Sequence, residues 1–265
     1  MKQYFVIFAL IPVWLIGMAR SAQAEATIRV PAEGLAAAVA EAQPGDTIEV
    51  TGGVMRGNLV LDKTLTIIGI DRPVIDAENK GTVVTITAPD TVLRGFTLRN
   101  SGDKLIGEDA GVNVGAAGAL IEDNHIENVL FGIYVHYGPG TTLRGNPLDI
   151  ARRGDLIRVW DSDDVLVENN VTTEGRDAVL WYSERLTLRG NEFTNGRYGL
   201  HFMYCDDAII ENNTLTHNSV GAYLMYGRRM RLNDNLIAFN RGPSGDGIGL
   251  KDMDDSIITG NRFLD

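Results

Sequence analysis

Cysteine is nearly absent from this chain of 265 residues, since Cys205 is the only one. A single cysteine excludes an internal disulfide even in an oxidising compartment. Positive charge is also scarce, because 24 lysine and arginine residues stand against 35 aspartate and glutamate residues. The overall charge therefore repels nucleic acid and acidic polysaccharides, and we expect no nucleic-acid partner.

Helical patterns are almost missing. Only the alanine-rich segment from Pro31 to Gln43 carries a helical apolar stripe, and Pro44 and Gly45 end it. No other segment contains the ten or more residues of helical pattern that a helical solenoid requires. The sequence predicts one short helix before the first strand, where it caps the open end of the fold and protects unpaired strand edges.

A five-residue phrase ending in asparagine recurs along the chain. Its asparagines are spaced by 22, 24, 21, 22, 22 and 26 residues, and they are Asn124, Asn146, Asn170, Asn191, Asn213, Asn235 and Asn261. Self-similarity at this period is typical of a solenoid in which each repeat packs only on its neighbours. We expect the asparagines to lie at one inward turn and to bond turn backbone and each other.

Short stretches within each repeat alternate apolar and polar residues, which is the pattern of strands with one buried face. The sequence predicts an all-β fold, a right-handed parallel β-helix with three strands per coil and an N-terminal capping helix. The phrase aligns nine inward positions from Ile67 to Ile258, hence nine rungs. Residues 99–115 are rich in Gly and Asp, and we expect them to form a loop that leaves the cylinder.

The N-terminus has the three parts of a secretory signal, with Lys2, an apolar run from Tyr4 to Met18, and small residues before position 25. We expect residues 1–24 to be a cleaved signal peptide and residues 25–265 to be a single β-helix domain in the periplasm. The mature chain then has 22 basic and 35 acidic residues, a formal charge of −13. Asp265 falls inside a coil, so the pattern predicts a longer natural protein.

Alternation along the third strand of each coil predicts an unusual outer face. We expect Val179 and Trp181 to point inward with the core residues, and two outward columns to run up the stack. One column is His136, Trp160, Tyr182, Met203, Met225 and Lys251, and its neighbour is Tyr134, Arg158, Leu180, His201 and Tyr223. Large apolar side chains on the water face of successive strands indicate a surface that is covered or used.

Three interpretations of this face remain open. The extra loop or a further C-terminal part packs over it. Alternatively it binds another protein through its aromatic residues, with the interface residues His136, Trp160, Tyr182 and Tyr223. In the third interpretation His201, Met203 and Met225 offer imidazole and thioether ligands to Cu(I), which prefers soft donors. Cys205 at the following turn is a further candidate ligand, although a single turn thiol is more often structural.

The turns after these strands carry carboxylates at residues 161–164, 206–207 and 252–255. Stacked carboxylates suit Ca²⁺ binding or glycosidase chemistry, which makes a β-helix polysaccharide lyase, epimerase, glycosidase or glycan-binding protein the alternative function. Glu184-Arg185 and Arg228-Arg229 interrupt the acidic column, however. A solvated turn is the favoured interpretation.

Three segments carry a family resemblance, RYGLHFMY at 197–204, GAYLMY at 221–226 and GDGIGLKD at 245–252. Together with the signal, the helix and the asparagine phrases, they resemble the NosD family of periplasmic β-helix proteins. The resemblance implies a non-catalytic factor that serves copper-site maturation of nitrous oxide reductase. It also implies transient Cu(I) and a peripheral position at the membrane, with an ABC transporter, a copper chaperone and the reductase as partners.

Overall fold

The structure, a computed structural model, describes residues 25–150, 154–243 and 246–265. The predicted signal peptide, residues 1–24, lies outside the described residues. Within the described ranges, no helix has the length and apolar character needed to cross a membrane.

Three parallel sheets form the walls of the fold, and each coil contributes one strand to each sheet in turn. Sheet 1 comprises Thr27–Pro31, Thr47–Thr51, Thr66–Ile70, Val92–Arg94, Leu120–Glu122, Thr142–Arg144, Leu166–Glu168, Thr187–Arg189, Ile209–Glu211, Arg231–Asn233 and Ile257–Thr259. Sheet 2 comprises Val54–Arg56, Val74–Asp76, Thr97–Arg99, His125–Glu127, Pro147–Asp149, Val171–Glu174, Glu192–Thr194, Thr214–Thr216, Leu236–Ala238 and Arg262–Leu264. Sheet 3 comprises Leu59–Leu61, Val84–Ile86, Ala110–Val114, Phe131–His136, Ile157–Trp160, Asp177–Trp181, Tyr198–Met203, Val220–Arg228 and Ile248–Asp254. The predicted all-β parallel β-helix with three strands per coil is confirmed.

The predicted number of rungs was wrong. Sheet 1 has 11 strands within the described residues rather than nine. Thr27–Pro31 and Thr47–Thr51 pair in register below Thr66–Ile70, so that Ile28, Ile48 and Ile67 follow one another. These two strands do not carry the repeated phrase, so the count of rungs from that phrase did not include them.

The capping helix is confirmed, although a strand precedes it. A 3₁₀ turn at Ala32–Gly34 leads into the α-helix Leu35–Glu41, which follows Thr27–Pro31. Leu35, Ala38 and Val39 are buried against the first coils. The Lys63 ammonium donates hydrogen bonds of 2.8–3.0 Å to the carbonyls of Val39, Ala40 and Ala42. It thereby satisfies the free carbonyls at the negative end of the helix dipole.

The asparagines form a continuous buried ladder, as predicted. Asn146 Nδ2 donates to Asn170 Oδ1 at 2.9 Å and to the carbonyl of Ile121 at 2.9 Å. Asn170 Oδ1 also accepts the backbone N–H of Asn146 at 3.0 Å. The pattern repeats between successive members up to Asn261. Each amide therefore ties its own coil to both neighbours, and the stack keeps one register.

The predicted loop over residues 99–115 is shorter than expected, because Thr97–Arg99 and Ala110–Val114 are strands of sheets 2 and 3. The connection at residues 100–109 lies against the outer face of sheet 3. Glu108 Oε1 is 3.2 Å from Arg158 Nη1. A small apolar cluster outside the barrel contains Ala110, Leu130, Phe131 and Tyr134, with Trp160 packed against it. The loop therefore covers one end of the face on which the predicted site lies.

Replacing Asn191 by Leu tests the ladder. The variant removes the side-chain bonds of Asn191 to the carbonyl of Val167, to the backbone N–H of Asn170 and to the amides of Asn170 and Asn213. Each buried group left unpaired costs about 1–3 kcal/mol, so we expect the unfolding free energy to fall by about 3 kcal/mol or more. Urea denaturation measures the effect. The neighbouring exposed variant Glu192→Gln is the control, and equal midpoints for the two variants would contradict the ladder.

Candidate functional site

The outer column nearest the strand ends is confirmed at every position except one. Backbone pairing joins His136 to Trp160, Trp160 to Trp181, Trp181 to Met203, Met203 to Met225 and Met225 to Lys251. Trp181 thus occupies the place predicted for Tyr182. The pairing shifts by one residue after Asp177, so that Ala178 and Leu180 point into the core while Val179 and Trp181 point out.

The neighbouring column contains Tyr134, Arg158, Val179, His201, Tyr223 and Gly249. Val179 replaces the predicted Leu180. Tyr134 is buried beneath the loop, and this burial is the main cause that raises its pKa to about 12. The Arg158 guanidinium lies 5.3 Å and 5.2 Å from the ring centres of Phe131 and Tyr134. One end of the outer face is therefore closed, and the other end keeps half-buried side chains.

Three tyrosines stack beside the methionines, and the sequence interpretation had placed only Tyr182 of them on this face. The rings of Tyr182 and Tyr204 lie 5.0 Å apart at 11°, and those of Tyr204 and Tyr226 lie 4.9 Å apart at 13°. We call these three residues the tyrosine stack. Lys251 Nζ lies 5.0 Å from the ring centre of Tyr226 and closes one end. Tyr182 also contacts Trp160 at 5.2 Å, which joins the stack to the outer column.

The backbone of the tyrosine stack is in the left-handed region, with φ of 52°, 57° and 56°. This conformation is unfavourable for bulky residues, and the same turn position holds Asp161 and Asp252 in other coils. Three consecutive tyrosines at such a position are not explained by backbone preference. Left-handed turn residues recur along the whole solenoid, so the feature that distinguishes the stack is its aromatic side-chain area.

His201 lies in an aromatic enclosure. Its ring is 5.6 Å from Trp181 at an angle of 88°, 4.8 Å from Tyr198 and 6.4 Å from Tyr223. Burial lowers the pKa of His201 below its usual value of about 6.5, which keeps the imidazole neutral at pH 7. Its Nδ1 atom is buried and has no hydrogen-bond partner within the described chain. A neutral imidazole with an unused nitrogen is suited to metal ligation.

The structure brings the three predicted ligands together on one face. Met203 and Met225 are directly paired on adjacent strands, which places their backbones about 4.8 Å apart. His201 precedes Met203 by two residues on the same strand and therefore shares its face. The described ranges contain no group of three or more His, Cys, Asp and Glu residues that could hold a metal.

Cys205, the further candidate, is buried away from this face. Its thiol donates to the carbonyl of Leu180 at 3.1 Å, and burial raises its pKa to about 12. The hydroxyls of Ser162 and Ser183 similarly donate to the carbonyls of Trp160 and Trp181, two residues before them. Cys205 is thus a structural turn residue, because a thiolate ligand requires deprotonation and access.

Arginine side chains form ion pairs with the carboxylates of the acidic turns. Arg185 lies 2.9 Å from Asp163 and 2.8 Å from Asp164. Arg229 lies 2.7 Å from Asp207, and its hydrogen bonds lower the pKa of that carboxyl, as those of Arg185 do for Asp164. These carboxylates are held as exposed ion pairs, which is consistent with solvated turns.

The Gly-Leu-Lys-Asp phrase has a physical explanation. A Cβ atom on Gly249 would lie 2.2 Å from the Tyr223 ring, so only glycine lets that ring lie across the next strand. Two residues later, Lys251 covers the ring of Tyr226. The phrase therefore shapes the surface around Met225.

Buried charges lie at the start of the same strands. Asp155 and Asp177 are both buried, and Asp177 is bound by Arg197. Asp155 Oδ1 has no hydrogen-bond partner within the described residues. Burial, followed by the charge of Asp177, raises the pKa of Asp155 to about 6 against the opposing effect of nearby arginines.

Comparison with known proteins finds similarity to NosD proteins. Residues 141–265 match the family model described as "Periplasmic copper-binding protein (NosD)". This range contains His201, Met203, Met225, Trp181 and the tyrosine stack. This match supports a NosD-type protein. The curated "Probable ABC transporter binding protein NosD" of Pseudomonas aeruginosa is 29% identical over 160 residues, which cover 54% of this chain and 37% of that protein. The aligned part thus spans little more than a third of the NosD relative.

Solved structures share the fold at low sequence identity. A lacto-N-biosidase of family GH136 from Eubacterium ramulus matches with a TM-score of 0.62 and 10% identity, covering 90% of this chain and 68% of the enzyme. The A-module of mannuronan C-5 epimerase AlgE4 from Azotobacter vinelandii matches with a TM-score of 0.61 and 16% identity, covering 88% of this chain and 82% of the module. At such identities the likeness shows the β-helix alone, so this chain shares its architecture with carbohydrate enzymes.

The raised pKa of Asp155 predicts a pH-dependent stability. A carboxyl whose pKa is higher in the folded state stabilises below pH 4, and this contribution is lost as pH rises through about 6. The loss amounts to about 2–3 kcal/mol for a shift of about two units. Asp155→Asn does not titrate, so its unfolding free energy relative to wild type should rise by that amount between pH 4 and pH 7. Parallel denaturation curves at both pH values would contradict the burial of this charge.

Proposed function

We propose that this protein carries Cu(I) transiently on His201, Met203 and Met225 and delivers it during copper-site maturation of nitrous oxide reductase. A copper chaperone supplies the ion, and a membrane ABC transporter holds the protein at the periplasmic side. The family description as a periplasmic copper-binding protein supports the metal and the compartment. The printed name of the Pseudomonas relative supports the transporter.

The direct pairing of Met203 with Met225 beside a half-buried neutral histidine carries this proposal. Thioether sulfur is a soft donor that selects Cu(I), and imidazole completes a mixed set. Hard cations such as Ca²⁺ and Mg²⁺ need oxygen ligands, which this face does not place beside the sulfurs. The donor chemistry therefore favours copper among the biological metals.

The position of the site suits exchange of the ion rather than storage. Met203 and Met225 are half-buried on a sheet surface and not in a closed cavity. A rigid parallel sheet holds both sulfurs at one spacing, so that little ordering is needed when the ion arrives. The formal charge of −13 on the mature chain attracts cations and excludes nucleic acid.

We assign the docking of a partner protein to the aromatic residues around the three proposed copper ligands. Trp160 and Tyr223 are half-buried, Tyr182 is exposed, and the half-buried His136 stacks on Tyr134 at 5.5 Å. Aromatic residues dominate the energetic centres of protein interfaces, and here they surround the sulfurs. A partner seated on the tyrosine stack would place its own copper ligands next to Met203 and Met225.

Replacing Met203 and Met225 together by Leu removes both sulfurs and preserves apolar volume. We expect the Cu(I) affinity of the mature protein to fall at least tenfold, measured anaerobically by competition with a coloured Cu(I) chelator. Reductase copper-site assembly in cells that carry the variant should fall with it. Thermal stability should remain within about 1 kcal/mol of wild type, because the swap conserves volume.

The double variant Met55→Leu with Met230→Leu is the matched control. Met55 and Met230 are buried elsewhere in the fold, so their loss removes two sulfurs without touching the site. The control should bind copper as wild type does. Full reductase assembly by the Met203/Met225 variant would instead mean that the sulfurs serve packing or docking and that copper binds elsewhere.

The proposal also predicts that the protein is not a carbohydrate-active enzyme. Asp163, Asp164, Asp206 and Asp207 are held by arginines, and the strand face between them presents sulfur and aromatic groups. Incubation with alginate, pectate and neutral glycans, with and without Ca²⁺, should release no new reducing or unsaturated ends. Appearance of such ends, abolished by a substitution on this face, would establish the alternative function.

A further inference from the structure

Trp181 holds a position in the copper-binding face that the copper proposal does not use. It pairs directly with Met203 on the next strand, as Met203 pairs with Met225. Its ring stands perpendicular to that of His201 at 5.6 Å. Trp181 therefore borders both the imidazole and the nearer thioether.

The indole is not held by a hydrogen bond. Its Nε1 atom is buried and has no partner among the described residues, although buried tryptophan N–H groups usually find one. The indole N–H is a donor only, so it cannot ligate a metal. What Trp181 offers at this position is the face of its ring.

The two ends of the donor column differ in charge. Met225 is followed by Lys251, whose ammonium lies over the Tyr226 ring and repels a cation. Met203 is preceded by Trp181, and the indole face attracts cations more strongly than any other side-chain ring. A singly charged soft ion is therefore favoured at the Trp181 end of the column.

Three side-chain ligands leave one side of a Cu(I) ion open. We propose that Trp181 caps this open side through a cation–π contact with its indole face, and that it thereby shields Cu(I) from water and oxidants. The inference rests on the copper function proposed above and adds to it a specific residue. The cap favours Cu(I) over Cu(II), because the divalent ion is more strongly hydrated and gains less from an aromatic wall.

The indole itself reports the contact. The chain has three tryptophans, and one of them, Trp14, lies in the predicted signal peptide. Trp160→Phe therefore leaves Trp181 as the only tryptophan of the mature protein, and Trp181→Phe leaves Trp160, so excitation at 295 nm selects the remaining indole. Anaerobic titration with Cu(I), and with redox-inert Ag(I) in air, should quench the first variant and change its near-ultraviolet absorption. The second variant should respond weakly at the same metal-to-protein ratio.

Affinity and oxidation rate give a second readout. Trp181→Leu should weaken Cu(I) binding by roughly three- to twentyfold, with Trp181→Phe intermediate. Bound Cu(I) should also oxidise in air several times faster in Trp181→Leu. The conservative Phe variant keeps a ring in place, so its result stands even if the Leu variant folds poorly.

The outcomes separate the two proposals. Wild-type copper binding that depends on Met203 and Met225 but not on Trp181, with no quenching in Trp160→Phe, would overturn the cap and leave the copper function intact. Absence of Cu(I) binding by wild type, or binding unaffected by loss of both methionines, would overturn the copper function itself. Quenching, weakened affinity and faster oxidation together support the cap.

Discussion

The buried asparagine ladder is the interaction on which the other structural features depend. Each amide bonds the coil before it and the coil after it, so the strands of successive coils cannot slip relative to one another. Buried amides in a low-dielectric interior are costly when unpaired, and this cost favours a single register. The register set in the core also aligns the outer side chains, because they form a straight column only where successive strands pair without a shift.

This dependence explains which parts of the site the sequence could predict. His136, Trp181 and Met203 each lie ten residues before the next ladder asparagine, at Asn146, Asn191 and Asn213. Coils differ in length before this point, between the sheet 2 strand and the outer column. One such difference is the shift in the sheet 3 pairing after Asp177. Assignment by apolar alternation placed Trp181 inward, whereas counting back from the asparagine places it outward. The same count places Tyr182, Tyr204 and Tyr226 at one turn, so the tyrosine stack was visible in the spacing.

Other features could not be read from the repeat. The loop covers Tyr134 through a contact between Glu108 and Arg158, which are 50 residues apart and belong to different coils. The buried Cys205 bonds the carbonyl of Leu180, which belongs to the preceding coil. The neutral state of His201 arises from three aromatic neighbours on three strands. Each of these is a tertiary contact between segments whose separate patterns are unremarkable.

Successive coils add one strand at a time to each sheet, so distances along the solenoid change in equal steps. The loop contacts the strand that carries Arg158, and Met203 and Met225 lie two and three strands farther along sheet 3. Each strand adds about 4.8 Å, so the distance between the loop and the sulfurs is set by a count of coils. Gain or loss of one whole coil between them would change this distance by one step and leave both surfaces intact. Relatives of different length can therefore adjust the spacing between two contact points without redesigning either.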